Sequence, residues 1–391
     1  MISLDEAQAR LLALGGFLPV ESVDVRDAVG RWAAADIVAK RTQPTRDLSA
    51  MDGYAVANSD VPGPWQVIGE SAAGNPFRGL IRSGQAVRIF TGAALPAGTN
   101  CIIIQEDIIR SEDIISINPS LAIREQQHVR AAGSDFQVGQ IIVPSGSCLT
   151  PARIALAIMG GHGTILVRRR ARVAIISTGD ELVPPGADAG DDRLPSSNAV
   201  MLAAMLRDLP CDVHDMGIIP DDLGQLTATI TAADRDIIVT SGGASVGDHD
   251  LVRPALLAAG ATIDFWKIAM RPGKPLMAGN LGNCICLGLP GNPVSAYVTA
   301  LLFLKPLIRS MSGADEPLPS RKTGILRGAL PATGPRTDHV RATISGKFIQ
   351  PTGPNDSAAL VGLANADALI VRPANSPVSQ DGDEIDYIEL T

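Results

Sequence analysis

Three short apolar runs, VAIIST at 173–178, DIIVTS at 236–241 and ICLGL at 285–289, each end in a glycine turn: TGD, SGG and GLPG. That repeated ending constrains the fold more than any other feature of the chain. Between the first two runs, a segment beginning near Asn198 places Met201, Leu202, Met205, Leu206 and Leu209 on one helical face. Strands alternating with helices over about 140 residues predict a doubly wound, mostly parallel α/β sheet. Such sheets bind ligands at the carboxyl ends of their strands, where all three glycine turns fall.

The flanking regions carry other patterns. Ser3 and Glu6 form a capping box ahead of Leu4, Ala7, Leu11 and Leu14, so the chain opens with an amphipathic helix. Short β-rich runs such as AVRIF and CIIIQ follow, separated by Gly, Pro and Asp turns, and Pro151 to Met159 returns to helix. After Ser312 come a Pro-rich segment and short alternating runs, VRATI and DEIDYIEL. The expected organisation is an elongated helical and β N-terminal unit from 1–36 and 131–170, a β-rich insertion over 37–130, the α/β domain over 171–312, and a small all-β, barrel-like domain over 318–391.

Composition removes several classes of function. A net charge of -8 with 7 Phe, 3 Tyr and 3 Trp lacks the cationic footprint and the stacking platforms of nucleic-acid binding. The basic run Arg168, Arg169, Arg170 and Arg172 reads as a solvated junction between domains. Five cysteines form no CxxC pair and fit no complete disulfide framework, which points to reduced thiols in a cytoplasm. No export signal is expected, and no run approaches the ~18 apolar residues of a membrane span.

The chemistry concentrates in the turns. No Walker or dinucleotide fingerprint is present. In SGGASVGDHD (241–250), Gly242, Gly243 and Gly247 either form a tight turn or let backbone N–H groups approach an anion. Asp248 and Asp250 suit either helix capping or a hard cation such as Mg²⁺, and His249 between them is expected to be exposed. Glu181 in STGDEL and Asp221 in GIIPDD bring further acids to what reads as the same sheet edge. In RPGKP, Arg271 and Lys274 flank a Pro-Gly turn, either as an oxyanion clamp or as a solvated turn. In LPGNPVSA, Asn292 can cap and Pro293 can open a helix, with or without an anion at its N–H groups. Asp52 in SAMDGYA and Thr91 in FTGAALPAG sit in turns to which local pattern assigns no chemistry.

In this order and with compatible spacing, SAMDGYA, RIFTGAALP, RAAGSD, STGDEL, GIIPDD, SGGASVGDHD, RPGKP, GLPGNPVSA and TGPNDS resemble the molybdopterin molybdenumtransferase family, to which the carboxy-terminal domain of gephyrin also belongs. The resemblance runs from about residue 3 to the end of the chain. It implies an elongated homodimer of four-domain subunits, with each cleft completed by the partner subunit. The implied reaction converts adenylylated molybdopterin and molybdate into molybdenum cofactor and AMP with Mg²⁺. By resemblance, Asp221 and Asp250 bind Mg²⁺, and Asp52, Thr91, Asp135 and Glu181 are catalytic. Substrate and oxyanion binding fall to Gly242, Gly243, Ser245, Gly247, Arg271, Lys274 and Pro275, and further to Pro290, Asn292, Pro293, Ser295, Arg341 and Ser357. Transient contact with cofactor-synthesis enzymes or acceptor molybdoenzymes is compatible with the same resemblance.

The chain also departs from the family's motifs. It has Ser196-Ser197-Asn198 where an Asp often opens the turn, Gly133-Ser134-Asp135 for a GED-like triplet, and Arg46-Asp47-Leu48 before SAMDG. Arg271 stands where Lys is usual, and Ala358-Ala359 replaces a Ser-Arg pair. Exchanging Lys for Arg replaces a point charge with a planar fork. A weakened paralogue that binds the cofactor or acts as a scaffold is the alternative reading, but the retained site residues favour the enzyme.

Overall fold

The structure, a computed structural model, describes residues 1–242, 250–352 and 360–390. Its centre is a six-stranded sheet in the order Cys211–Ile219, Ala171–Thr178, Ile237–Ser241, Cys284–Leu289, Met277–Leu281, Thr262–Trp266. The first four strands are parallel, Met277–Leu281 runs against them, and the edge strand Thr262–Trp266, antiparallel to Met277–Leu281, returns to their direction. Ile237–Ser241 and Cys284–Leu289 are buried along their whole lengths. Strands covered on both faces read as unbroken apolar runs, which is why the sequence shows them so plainly.

Helices cover both faces, as the alternating pattern predicts. On one side Leu202 and Leu206, from the region of Asn198–Met205, pack with Phe303 and Leu307. On the other, Leu226 and Ile230 of Leu223–Ala232 meet Val252 and Leu256 of Val252–Ala258. The opening helix is Leu4–Leu14, and Ser3 caps it by accepting from the Glu6 N–H at 3.1 Å. Leu4, Ala7 and Leu11 of that helix lie in the α/β core, although in sequence it belongs with the N-terminal segment.

The helical run Pro293–Met311 is long and apolar enough by length and composition to cross a membrane. It is mostly buried inside the protein, passing through a π-helical turn at Ala300–Leu304 between two α-helical segments. A helix enclosed by a sheet, other helices and a neighbouring domain becomes apolar all round for the same reason as a spanning one.

Toward the N-terminus, Val20–Asp24 pairs with Thr164–Arg168, and Ile37–Val38 with Ile141–Val143, around a core that includes Val25, Leu149 and Ile154. The helix Pro151–Met159 forms where the pattern placed it. The β-rich insertion contains a separate six-stranded sheet spanning Gly53 to Ile117 over a fully buried Trp65. Near the C-terminus, Thr337–Ser345, Phe348–Pro351, Lys322–Leu326, Glu384–Glu389 and Ala368–Arg372 pair in that order, and the last returns to the first, closing a five-stranded barrel. The short strand Met270–Arg271 leaves the α/β domain and adds in parallel to Thr337–Ser345.

The edge of the main sheet opposite the glycine turns is held by charge. Asp236, 8% exposed, accepts two hydrogen bonds from the Arg169 guanidinium at 2.6 Å and one from the Arg172 N–H at 2.8 Å. Arg170 pairs with Asp212, so three of the four arginines read as a solvated junction are ion-paired. Burial pushes the Asp236 carboxyl up, but the bonds from Arg169 and Arg172 outweigh it and hold it at about 2. With a depressed folded value, this stabilisation is complete above the unfolded carboxylate range and is lost as pH falls through about 2. Asp236→Ala should therefore lower the unfolding free energy at neutral pH by about 3–5 kcal/mol, because it leaves Arg169 without its partner. Urea denaturation of the variant beside the parent measures the difference.

Candidate active site

The parallel strands run in the chain order second, first, third, fourth, so the connections diverge between Ala171–Thr178 and Ile237–Ser241. A crevice must open where neighbouring connections leave on opposite faces. There the structure has a cleft of about 560 Å³, lined by Ser177, Thr178, Glu181, Ser241, Gly242 and Asn292 among others, with Leu360 from the C-terminal region at its rim. Gly242 ends the central strand with φ +101°, and a Cβ there would lie 2.4 Å from the Thr178 carbonyl oxygen. Only glycine lets the two strand ends approach this closely.

Asn198 ties the floor of the cleft together. Its amide donates to the Ser241 hydroxyl and to the Gly291 carbonyl, each at 2.7 Å. Ser196 is buried and its hydroxyl lies 3.3 Å from that of Ser177. Sequence reasoning noted this Ser196-Ser197-Asn198 turn only as a departure and missed Asn198 as a site residue. Its position at a helix start, facing two strand ends, was the available signal.

Pro290 is buried in the turn behind the cleft, while Asn292 and Pro293 line it. Asn292 Oδ1 accepts from the N–H groups of Val294 and Ser295 at 3.1 and 3.3 Å. Those donors are therefore engaged by the cap rather than left for an anion, which decides between the two readings of the LPGNPVSA turn.

The acids divide between two places. At the sheet edge, Asp221 accepts from the Thr178 hydroxyl at 2.8 Å, and its N–H donates to Asp180 at 3.0 Å. Both carboxylate oxygens of Asp250 are buried without a hydrogen-bond partner. Burial first, with the charge of Asp221 adding to it, pushes Asp250 up to about 6, and the Val252 N–H, which approaches without reaching hydrogen-bond geometry, opposes this only in part. Two facing carboxylates with unused lone pairs fit a divalent cation that also takes phosphate oxygens. Among the described residues, no group of three or more His, Cys, Asp and Glu side chains could hold a metal alone. Gly243, Ser245, Gly247, Asp248, His249 and Ser357 lie outside the described residues.

The second acidic site lies on the inserted sheet and its surroundings. Asp52 accepts from both the N–H and the hydroxyl of Thr91 at 2.8 Å, and these two bonds hold its carboxyl below the usual range. Both residues are exposed. Asp135 is exposed too, in a loop anchored by its N–H to the Gln43 carbonyl at 3.1 Å. None of these three lines the switch-point cleft.

A second cavity, of about 320 Å³, lies where the α/β domain meets the barrel. The RPGKP turn provides Arg271, Lys274 and Pro275, and the Pro293 helix provides Ser295, which is buried. The barrel strand region adds Arg336, His339 and Arg341. Gly273 at φ +100° lets the turn pass the helix, since a Cβ there would sit 2.5 Å from Thr299 Cγ2. Four guanidinium or ammonium groups around one small cavity favour a compact, multiply charged anion. Arg336 and His339 were missed in sequence. His339 and Arg341 sit two apart on a strand and share a face, a signal that becomes usable once the facing domain is known.

The Asp250 carboxylate gives a prediction independent of turnover. An unpartnered buried charge opposes folding, so Asp250→Asn in metal-free buffer near neutral pH should raise the unfolding free energy by about 1–2 kcal/mol. Unchanged or reduced stability in chemical denaturation with chelator present would contradict this account of the carboxyl.

Comparison with known proteins matches three successive stretches of the chain. Residues 2–161 match the MoeA N-terminal region (domain I and II), 174–310 a probable molybdopterin binding domain, and 323–390 the MoeA C-terminal region (domain IV). A molybdopterin molybdenumtransferase from Haemophilus influenzae is 38% identical over 321 residues, covering 81% of this chain and 79% of that one. One from Staphylococcus aureus is 29% identical over 400 residues, covering 99% and 95%. The crystal structure of a molybdopterin biosynthesis MoeA protein from Pyrococcus horikoshii superposes with a TM-score of 0.86 at 25% identity, over the whole of both chains. On its domain content and on its identity to relatives over most of its length, the chain belongs to the molybdopterin molybdenumtransferase family.

Proposed function

We propose that the protein inserts molybdenum from molybdate into adenylylated molybdopterin, releasing AMP, with Mg²⁺ at the pyrophosphate. The observation that carries this reading is the pair of cavities on one helix. The residues at its start, Asn292 and Pro293, line the switch-point cleft, while Ser295, within its first turn, lines the cationic cavity. A substrate in the larger cleft and an oxyanion in the smaller one would be brought together by a single rigid element.

In this reading the pterin nucleotide occupies the cleft over Gly242 and Glu181. Its pyrophosphate meets Asp221 and Asp250, which would hold Mg²⁺. When bound there, Mg²⁺ supplies charge withdrawal from the phosphoanhydride. Arg271, Lys274, Arg341 and Ser295 receive molybdate, their cationic and hydroxyl donors matching a tetrahedral dianion. The protein's contribution is positioning and charge stabilisation.

Asp52, Thr91 and Asp135 would enter the cleft of a partner subunit in a homodimer. Their exposure, and a Thr91–Asp52 lock that presets the carboxylate, support that arrangement. The five free thiols suit a reducing compartment, the cytoplasm.

Purified protein given adenylylated molybdopterin, molybdate and Mg²⁺ should release AMP and yield a cofactor that activates an apo-molybdoenzyme. Asp250→Asn should lose the Mg²⁺-dependent release, and Lys274→Ala should raise half-saturating molybdate by roughly tenfold or more, as expected for losing a charged ligand. Failure of the folded parent at both readouts would sink the reading.

Completion of the cleft across subunits has its own test. Asp52→Asn and Lys274→Ala chains, each impaired alone, should recover activity when co-expressed, because one cleft of a mixed dimer then carries neither substitution. Mixed dimers no more active than the two parents would place both residues in the same subunit's site.

A further inference from the structure

His339 has no role in the chemistry above, yet it lies in the wall of the cationic cavity. Strand alternation explains its direction: Val340 and Ala342 fill the barrel core, while His339 and Arg341 face the α/β domain. The imidazole is 2% exposed, and neither ring nitrogen has a hydrogen-bond partner. The Arg271 carbonyl approaches closely enough to favour the protonated ring, without reaching hydrogen-bond geometry. A buried imidazole with unused polar atoms carries a desolvation cost that an incoming ligand can offset.

We propose that His339 is a proton-linked ligand of the oxyanion cavity, its imidazole taking up a proton as a tetrahedral dianion settles beside Arg271, Lys274 and Arg341. This rests on reading that cavity as the oxyanion site.

The surrounding charges set the direction of the linkage. From the RPGKP turn the ring meets Arg271 and Lys274, and from its own strand region Arg336, Asp338 and Arg341. The neighbouring Ala368–Arg372 strand brings Arg372, which interacts with Asp338. On the far side of the ring a small cavity is lined by Gln8 and Arg321, and Arg321 lies 4.0 Å from Asp5. The Pro293 helix contributes only the Ser295 hydroxyl to this set. Cations therefore outnumber acids around the ring, and burial together with Arg321 holds the empty-state imidazole neutral, down at about 4.

A dianion reverses both influences, adding negative charge and an oxygen acceptor where the ring had neither. Its binding raises the imidazole's affinity for a proton, so binding is tightest at low pH and weakens as pH rises through the value of the occupied state. The cation cluster thereby gains a further positive donor only when an anion is present.

The test is calorimetric titration of molybdate into the full-length parent, His339→Gln and His339→Phe at about pH 6.5 and about pH 8, in two non-phosphate buffers of different ionisation enthalpy. The parent should take up a fraction of a proton per molybdate bound, and its Kd should weaken by roughly threefold or more across that range. Both variants should bind with little pH dependence and no matching uptake. Parent binding without proton uptake overturns the proposal even if neither variant folds, and so does an unchanged uptake in a folded variant. Absence of any molybdate binding by the folded parent overturns the oxyanion reading itself and this inference with it, an outcome distinct from the other two.

Discussion

Parallel pairing is the constraint on which the rest depends. Four strands running the same way deliver their carboxyl ends to one edge, and STGDEL, GIIPDD, SGG and LPG therefore converge although they are spread over more than a hundred residues. The opposite edge is held by Asp236 and its two arginines, which pin the start of the central strand to the chain entering its neighbour. One edge is thus closed by ion pairs, and the other has polar groups with unused capacity. Asp250 shows the difference most clearly, since its carboxylate is buried as deeply as a structural group would be but has no structural partner.

A second dependence lies at the join with the barrel. Met270–Arg271 hydrogen bonds to Thr337–Ser345, so the strand that begins the RPGKP turn is part of the barrel's sheet. The two halves of the cationic cavity are consequently held in register by backbone pairing rather than by side chains. This separates the cost of gathering like charges from the task of holding them in place. Repulsion among Arg271, Lys274, Arg336 and Arg341 acts on side chains whose backbones are already fixed. That is the preorganisation an anion site needs, and it leaves His339 neutral beside them.

Legibility followed the range of the forces involved. The opening cap, the Pro151 helix and the Asn198 helix were readable because capping and helical periodicity act within a few residues. The glycine-ended strands were readable because burial on both faces leaves an unbroken apolar run. The Pro293–Met311 helix shows a related effect: it is enclosed on most sides, so its composition imitates a spanning segment. Arg336 and His339 left no signal usable by itself, since the domain that turns them into cavity walls is encoded elsewhere in the chain.

The sequence alone determined the doubly wound domain, the acidic and glycine-rich turns at its strand ends, and a family resemblance strong enough to name the candidate residues. Those properties rest on local periodicity, turn chemistry and motif order, all of which are written along the chain. Only the tertiary structure decided that Asn292 spends its side chain on its own helix, that Asp250 faces Asp221 without a partner, and that Arg271 and His339 share a cavity. Each of these is a relation between groups brought together by packing, and burial and Coulomb interaction depend on distance in space rather than on separation in sequence.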